Sequence, residues 1–243
     1  MDRRQFLTTM PAVVALELAE RGRGGAPGPG SGPHSAAGPL RPPAHGPIDV
    51  AFLVSDGATV IDFTGPWEVF QDAYVPERGT DGSAFRLFTV AATREPVRVT
   101  GGLRLVPDHS VADAPQPRVV VVPAMRRSPA VVDWLRKTSQ AADLVMSVCT
   151  GAFVLGHAGL LAGKHATTHH DFHDRFAAEF PDVTLERGAR FVDCSSNVST
   201  AGGLTSGIDL ALHVVERYFG RDAAQRTASY MEYQGRGWLT RTA

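Results

Sequence analysis

From residue 48 onward the chain reads as an α/β domain: a doubly wound, mainly parallel sheet with helices on both faces. Three observations predict this. Residues 48–54 and 119–122 are short runs apolar on both faces, as buried parallel strands are. Runs of this kind alternate with segments of helical period. Residues 144–148 then pass through the small-residue turn Ser147-Val148-Cys149-Thr150-Gly151 into Ala152-Phe153-Val154-Leu155, which is strand, sharp turn, helix.

Ahead of the domain, Asp2-Arg3-Arg4-Gln5-Phe6-Leu7-Thr8 carries paired arginines followed by Phe-Leu, the pattern of a twin-arginine export signal. The apolar run behind it is interrupted by Glu17 and Glu20, so export and a cytoplasmic location both stay open. More than half of residues 21–47 are Gly or Pro, which build no core. The expected organisation is a leader at 1–20, a disordered linker at 21–47 and the folded domain at 48–243.

The first strand, 48–54, ends in Ser55-Asp56-Gly57. A helix follows in which Pro66 suits the first helical position, Asp62 lies just before it, and Trp67, Phe70 and Tyr74 share a face. Residues 85–92 read as a strand, and 97–100 with 103–107 as a hairpin around Gly101-Gly102. The valine run ends at Pro123, and Ser128-Pro129 opens a helix reaching about 141. Beyond the turn at Cys149, Phe172, Phe176 and Phe180 repeat at helical spacing and read as a core face. Residues 183–186, 191–194 and 198–201 are short strands, and Gly202-Gly203 marks a turn or a close backbone approach. A helix over 205–219 buries Ile208, Leu212, Val215 and Phe219, and another runs over 222–233.

With 24 basic and 25 acidic residues mixed along the chain, there is no basic stripe for nucleic acid, and no room after Trp238 for a helix-turn-helix module. No segment after residue 47 is long and apolar enough to span a bilayer. The two cysteines, Cys149 and Cys194, lie in differently built segments, so neither a disulfide framework nor a zinc spacing follows, and both are expected as free thiols.

Cys149 has small residues, Ser147 and Gly151, two positions either side, as a nucleophile on a tight turn requires. The helix amino end facing the sulfur should favour thiolate and lower the thiol pKa. The alternative is a buried, inert cysteine. In a doubly wound sheet, ligands bind at the carboxyl ends of the strands. There the turn bearing Asp62, the loop Pro123-Ala124-Met125 and the Cys149 turn should converge. Asp62 is either a helix cap or an acid whose pKa is raised by burial beside a thiolate, and the residues alone leave both open. His165, His169, His170 and His173 raise the question of a metal, with His169 and His173 one helical turn apart. There is no H-E-x-x-H and no flanking Cys, so no metal site is expected.

Three segments together, Ile61-Asp62-Phe63-Thr64-Gly65-Pro66-Trp67-Glu68-Val69-Phe70, Cys149-Thr150-Gly151-Ala152-Phe153-Val154-Leu155 and Ala158-Gly159-Leu160-Leu161-Ala162-Gly163-Lys164-His165-Ala166-Thr167-Thr168-His169, resemble the ThiJ/PfpI family over about residues 48–238. With the ending Ala228-Ser229-Tyr230-Met231-Glu232-Tyr233-Gln234, the resemblance is closest to its isonitrile hydratase branch. It implies the flavodoxin-like fold of class I glutamine amidotransferases and a homodimer. It implies Cys149 as nucleophile, Asp62 as acid/base partner and Thr150 as the neighbour that holds the intermediate, with Gly65, Ala124, Thr168 and His169 binding substrate. The implied enzyme is a hydro-lyase without metal or organic cofactor, adding water to a small isonitrile to give an N-substituted formamide through a Cys149 thioimidate.

The same segments occur in the sensing halves of AraC-type regulators, so a ligand- or redox-sensing protein without a DNA-binding half is the alternative. Thr150 stands where glyoxalase- and peptidase-like members have His. His213-Val214-Val215-Glu216 replaces the late His-x-Glu of the glutaminases and has the spacing of a helix-surface pair. Ala124-Met125 stands where many members have Gly-Gly, so no glycine is available to turn a backbone N–H into the site.

Overall fold

A computed structural model describes residues 37–76 and 84–239; the paired-arginine segment, the linker through residue 36 and residues 240–243 lie outside the described residues. The central sheet has seven strands in the order β10-β11-β7-β6-β1-β2-β5. These are β1 (Ile48–Leu53), β2 (Phe85–Ala91), β5 (His109–Ser110), β6 (Val119–Val122), β7 (Leu144–Ser147), β10 (Phe191–Ser195) and β11 (Val198–Ala201). All pairs are parallel except the edge pair β10–β11. The hairpin β3 (Val97–Arg98) and β4 (Arg104–Leu105) turns through Gly101 and Gly102, both at positive φ, as its glycines predict. β8 (His165–Ala166) pairs with β9 (Thr184–Leu185). The short strands β5 and β8 are absent from the sequence reading because two residues carry no periodicity.

Alternate residues of the buried strands feed two cores. Val50 and Phe52 of β1, Val119 and Val121 of β6, and Leu144 and Met146 of β7 pack beneath α1 (Val60–Gln71), α5 (Ser206–Phe219) and α6 (Arg221–Tyr230). Ala51 and Leu53, Val120 and Val122, and Val145 pack beneath α2 (Pro129–Thr138), α3 (Gly151–His157) and α4 (His173–Glu179). Each fully buried Val, Leu or Phe contributes about 1.5–3 kcal/mol. Burial on both faces is what makes these strands continuous apolar runs. Ser128 caps α2 by accepting the Val131 N–H at 3.3 Å. Phe153 of α3 meets Phe172, Phe176 and Phe180 at 6.4, 5.1 and 5.9 Å; Phe176 is core, as expected, while Phe172 and Phe180 pack against it only partly buried. No helix among the described residues is long and apolar enough to cross a membrane.

Two differences from the sequence reading concern α1. The helix starts at Val60, so Asp62 sits in its first turn and Pro66 inside it. Pro66 removes one backbone bond, but the helix is held by close packing on α5. A Cβ on Gly65 would lie 3.0 Å from Ile208 Cγ1, and one on Gly207 would lie 3.3 Å from Pro66 Cγ. Tyr74 lies beyond the end of the helix and is exposed, whereas Trp67 and Phe70 both pack on Phe52, at 4.9 and 6.3 Å. Ile208 and Phe219 of α5 are only partly buried, while Leu212 and Val215 are fully so.

The ordered contacts also begin ahead of Ile48. Leu40 N donates to Arg217 O at 2.8 Å, Arg217 Nε to Gly38 O at 3.1 Å, and Arg118 to Arg41 O at 2.9 Å. Leu40 itself packs against the core. The last part of the segment read as linker is thus attached to the domain.

Candidate active site

The chain runs from β1 outward to β2 on one side and through β6 to β7 and β11 on the other, so the direction of winding reverses between β1 and β6. Loops leaving adjacent strands diverge there and open a crevice at their carboxyl ends. Asp62 follows β1, Ala124 follows β6, and Cys149 follows β7. The structure joins the first two across the reversal: Ala124 N donates to Asp62 Oδ2 at 3.1 Å. The alanine thus directs its backbone N–H to the Asp62 carboxyl. Asp62 does not cap its helix, whose N-cap residue is Thr59.

Cys149 has φ 59°, the left-handed conformation that a non-glycine residue adopts at a cost of about 1–2 kcal/mol. Its surroundings hold it there. The Cys149 N–H donates to Gly202 O at 2.8 Å, and Thr168 Oγ1 donates to Cys149 O at 2.9 Å. Gly151 is obligatory, since a Cβ there would overlap the Val122 carbonyl oxygen and lie 2.8 Å from Pro123 O. The elbow is therefore pressed on to the loop that carries Ala124.

The thiol lies against the Asp62 carboxyl in a nearly dry site: Asp62 is 0% and Cys149 6% exposed. Asp62 Oδ1 is buried without a hydrogen-bond partner of ordinary geometry, while the carboxyl as a whole interacts with the Cys149 thiol. Burial raises the Asp62 pKa to about 6 against the opposing pull of the Ala124 N–H, the thiol and the Leu204 N–H. Burial first, and then the Asp62 charge, push Cys149 up to about 12, with the Thr150 and Leu204 amides acting the other way. The expectation that the helix end would lower the thiol pKa is thus corrected. The amides do favour thiolate, but desolvation beside a carboxylate outweighs them. Between these values the pair holds one proton, and it rests on sulfur.

The remaining predicted residues divide by what they touch. Thr150 offers its backbone N–H to the sulfur and lines a cleft of about 200 Å³. Thr168 and His169 line a second cleft, of about 350 Å³, with Gly203 and Leu204. His169 lies so close over Gly203 that a Cβ there would overlap its ring and sit 2.9 Å from Nε2, the close approach the glycine pair foretold. Gly65 makes room for Ile208 of the neighbouring helix. Leu204 was missed by sequence reasoning: it contributes a backbone N–H, presented by φ 52°, and its side chain gives no sign of this.

His169, His170 and Asp171 form the one group among the described residues whose ligand atoms, within 4.8 Å of one another, could hold a metal ion. His169 Nδ1 already accepts the Asp171 N–H at 3.2 Å, and His170 and Asp171 are exposed. His173 is turned inward to Thr168 O at 3.2 Å rather than toward a ligand shared with His169, although the two are one helical turn apart in sequence. Likewise His213 binds Asp193 at 2.9 Å and Glu216 binds Arg221 at 2.9 Å, so these two do not pair with each other.

A mainly parallel seven-stranded sheet with helices on both faces, carrying a cysteine elbow beside an acid at its winding reversal, is a flavodoxin-like fold. Residues 49–217 match the DJ-1/PfpI family, and the chain belongs to that family. Isonitrile hydratase of Pseudomonas putida is 33% identical over 192 residues, covering 76% of this chain and 78% of that protein. The transcriptional regulator CdhR of Pseudomonas aeruginosa is 27% identical, covering 72% of this chain; the match spans only 52% of the regulator. Among solved structures, a ThiJ/PfpI family protein from Pseudomonas syringae superimposes with a TM-score of 0.68 at 27% identity, over 79% of this chain and 77% of that one.

Proposed function

We propose that the protein is a cofactor-independent isonitrile hydratase in which Cys149 is the nucleophile and Asp62 the proton carrier. The observation that carries this reading is the pairing of a carboxyl near pKa 6 with a protonated thiol in a water-poor site. At neutral pH Asp62 is mostly carboxylate and Cys149 is thiol, so the acid first acts as base. An isonitrile carries a lone pair on its terminal carbon. The thiol proton passes through Asp62 to that carbon while sulfur forms the C–S bond, giving a thioimidate. Water then adds to the same carbon, with Asp62 relaying its proton to nitrogen. Collapse of this adduct breaks the C–S bond, forms the formamide C=O and returns the hydroxyl proton to sulfur. The Thr150 and Leu204 amides stabilise the sulfur whenever it carries negative charge.

The 33% identity to isonitrile hydratase supports this reading over the others in the family. A homodimer belongs to the same reading and is checked by light scattering. Ligand or redox sensing is the second reading, favoured by the regulators of which this chain matches about half the length. Formamide production from cyclohexyl isocyanide, with Cys149→Ala and Asp62→Asn alongside, tests the proposal. Turnover lost in both variants is expected. A parent protein that alkylates at Cys149 yet turns over no isonitrile would transfer the weight to sensing.

A further inference from the structure

The cleft beside Thr150 has a chemistry that hydration itself does not require. Its apolar wall is Phe153 and Phe172, and its rim carries Arg127, Arg175, His157 and Glu179. Glu179 is the one carboxylate among these, and it is already shared: His157 Nε2 lies 2.7 Å and Arg175 Nε 3.5 Å from it. Arg175 is held in place by its guanidinium carbon, 5.1 Å from the centre of the Phe153 ring. Arg127 is exposed and has no carboxylate partner among the described residues. It also borders a neighbouring cleft with Asp56 and Glu95, neither of which reaches it as an ion pair. The cleft thus carries at least one unmatched positive charge whichever state His157 adopts. Two guanidiniums above an aromatic wall are a fitting receptor for a carboxylate on a short apolar body.

We infer that this cleft binds the anionic end of the substrate, so that the compound attacked at Cys149 is an isonitrile bearing a carboxylate rather than a neutral alkyl isonitrile. The inference rests on the hydratase reading for the reacting group, but the charge preference does not. A neutral cleft would accept acid and ester alike. Here the acid gains charge-assisted contacts to Arg127 and Arg175 that its ester lacks, and the Phe153 and Phe172 rings offer its chain an apolar wall. Arg127 lies on the segment after β6, only a few residues beyond the Ala124 N–H that holds Asp62. The same loop thus reaches from the Asp62 carboxyl to the rim of the cleft.

Two measurements on the full-length protein separate this inference from the one beneath it. The first is kcat/KM for a series of ω-isocyano carboxylates against their methyl esters. The acid is expected to lead by about tenfold at low salt, the discrimination of one charge-assisted contact. That lead should shrink in Arg127→Gln and Arg175→Gln and reverse in Arg127→Glu. Equal acid and ester, or a lead unchanged in all three variants, overturns the inference and leaves hydration standing. The second is the ratio of Cys149 alkylation rates by iodoacetate and iodoacetamide, which needs no isonitrile turnover. The ratio should fall several-fold in Arg127→Glu. If no isonitrile reacts but the ratio falls, the hydratase reading fails and the anion cleft stands. If the ratio is unmoved, the anion cleft fails regardless of turnover.

Discussion

Asp62 and Cys149 face each other across a nearly dry junction, and the carboxylate is one of the two causes that hold the thiol protonated. Replacing Asp62 by Asn removes the charge while keeping the shape. The Cys149 pKa should then fall from about 12 towards the ordinary thiol range, because burial alone remains to raise it. Alkylation by iodoacetamide at pH 8 becomes faster as hydration is lost. This opposition distinguishes a proton carrier from a mere brace, whose loss would slow both. The pH dependence of alkylation in parent and variant decides it.

The same carboxyl makes stability depend on pH in an unusual direction. Its pKa rises from an ordinary 3.8 to about 6 in the fold, so between these values the folded protein binds more protons than the unfolded chain. Stability therefore falls as pH rises from about 4 to 6, and Asp62 costs the fold about 3 kcal/mol above that window. Asp62→Asn should accordingly be more stable than the parent at pH 7.5 and lose that advantage at pH 4. Urea unfolding at the two pH values measures it. A variant advantage that grew on acidification would contradict the raised pKa.

How much of this was legible in the sequence follows from what each residue contributes. The elbow was legible because Gly151 is small for a steric reason, and the buried strands because burial on both faces leaves an apolar run. Convergence of Asp62, the Ala124 loop and Cys149 followed from the topology that such runs predict. The start of α1 was misplaced because Pro66 is a strong first-position signal, overridden here by the packing of Gly65 and Pro66 on α5. The direction of the thiol pKa could not be read, since it is set by a desolvation that exists only once both cores have closed over the site. Leu204 left no trace either, because it acts through a backbone N–H.

Backbone strain at the elbow gives a test independent of chemistry. With φ at 59°, Cys149 sits where glycine pays no steric penalty and alanine does. Cys149→Gly should be more stable than Cys149→Ala by about 1 kcal/mol, the reverse of their usual order in regular structure. Gly151→Ala should lose at least about 1–3 kcal/mol, because its methyl would overlap backbone oxygen that cannot move aside. Thermal melts of the three variants settle both points. Equal melting of the two Cys149 variants would mean that the elbow relaxes in solution.

Attachment of the chain ahead of β1 predicts where the domain can be cut. Arg217 has a side chain 4% exposed; its Nε donates to Gly38 O at 3.1 Å, its Nη2 to Ser196 O at 2.7 Å, and its Nη1 lies 3.8 Å from Asp193 Oδ1 as an ion pair. Removing residues 1–36 leaves the bonds to Gly38 and Leu40 intact. Removing residues 1–47 strips Arg217 of the Gly38 carbonyl, leaves its own carbonyl without the Leu40 N–H, and uncovers the apolar surface beneath Leu40. Buried groups left without partners cost about 1–3 kcal/mol each. The shorter protein should therefore unfold at lower urea than the longer one, although Arg217 keeps its ion pair with Asp193 and its bond to Ser196 O. Equal midpoints for the two truncations would show that these contacts add nothing to the fold.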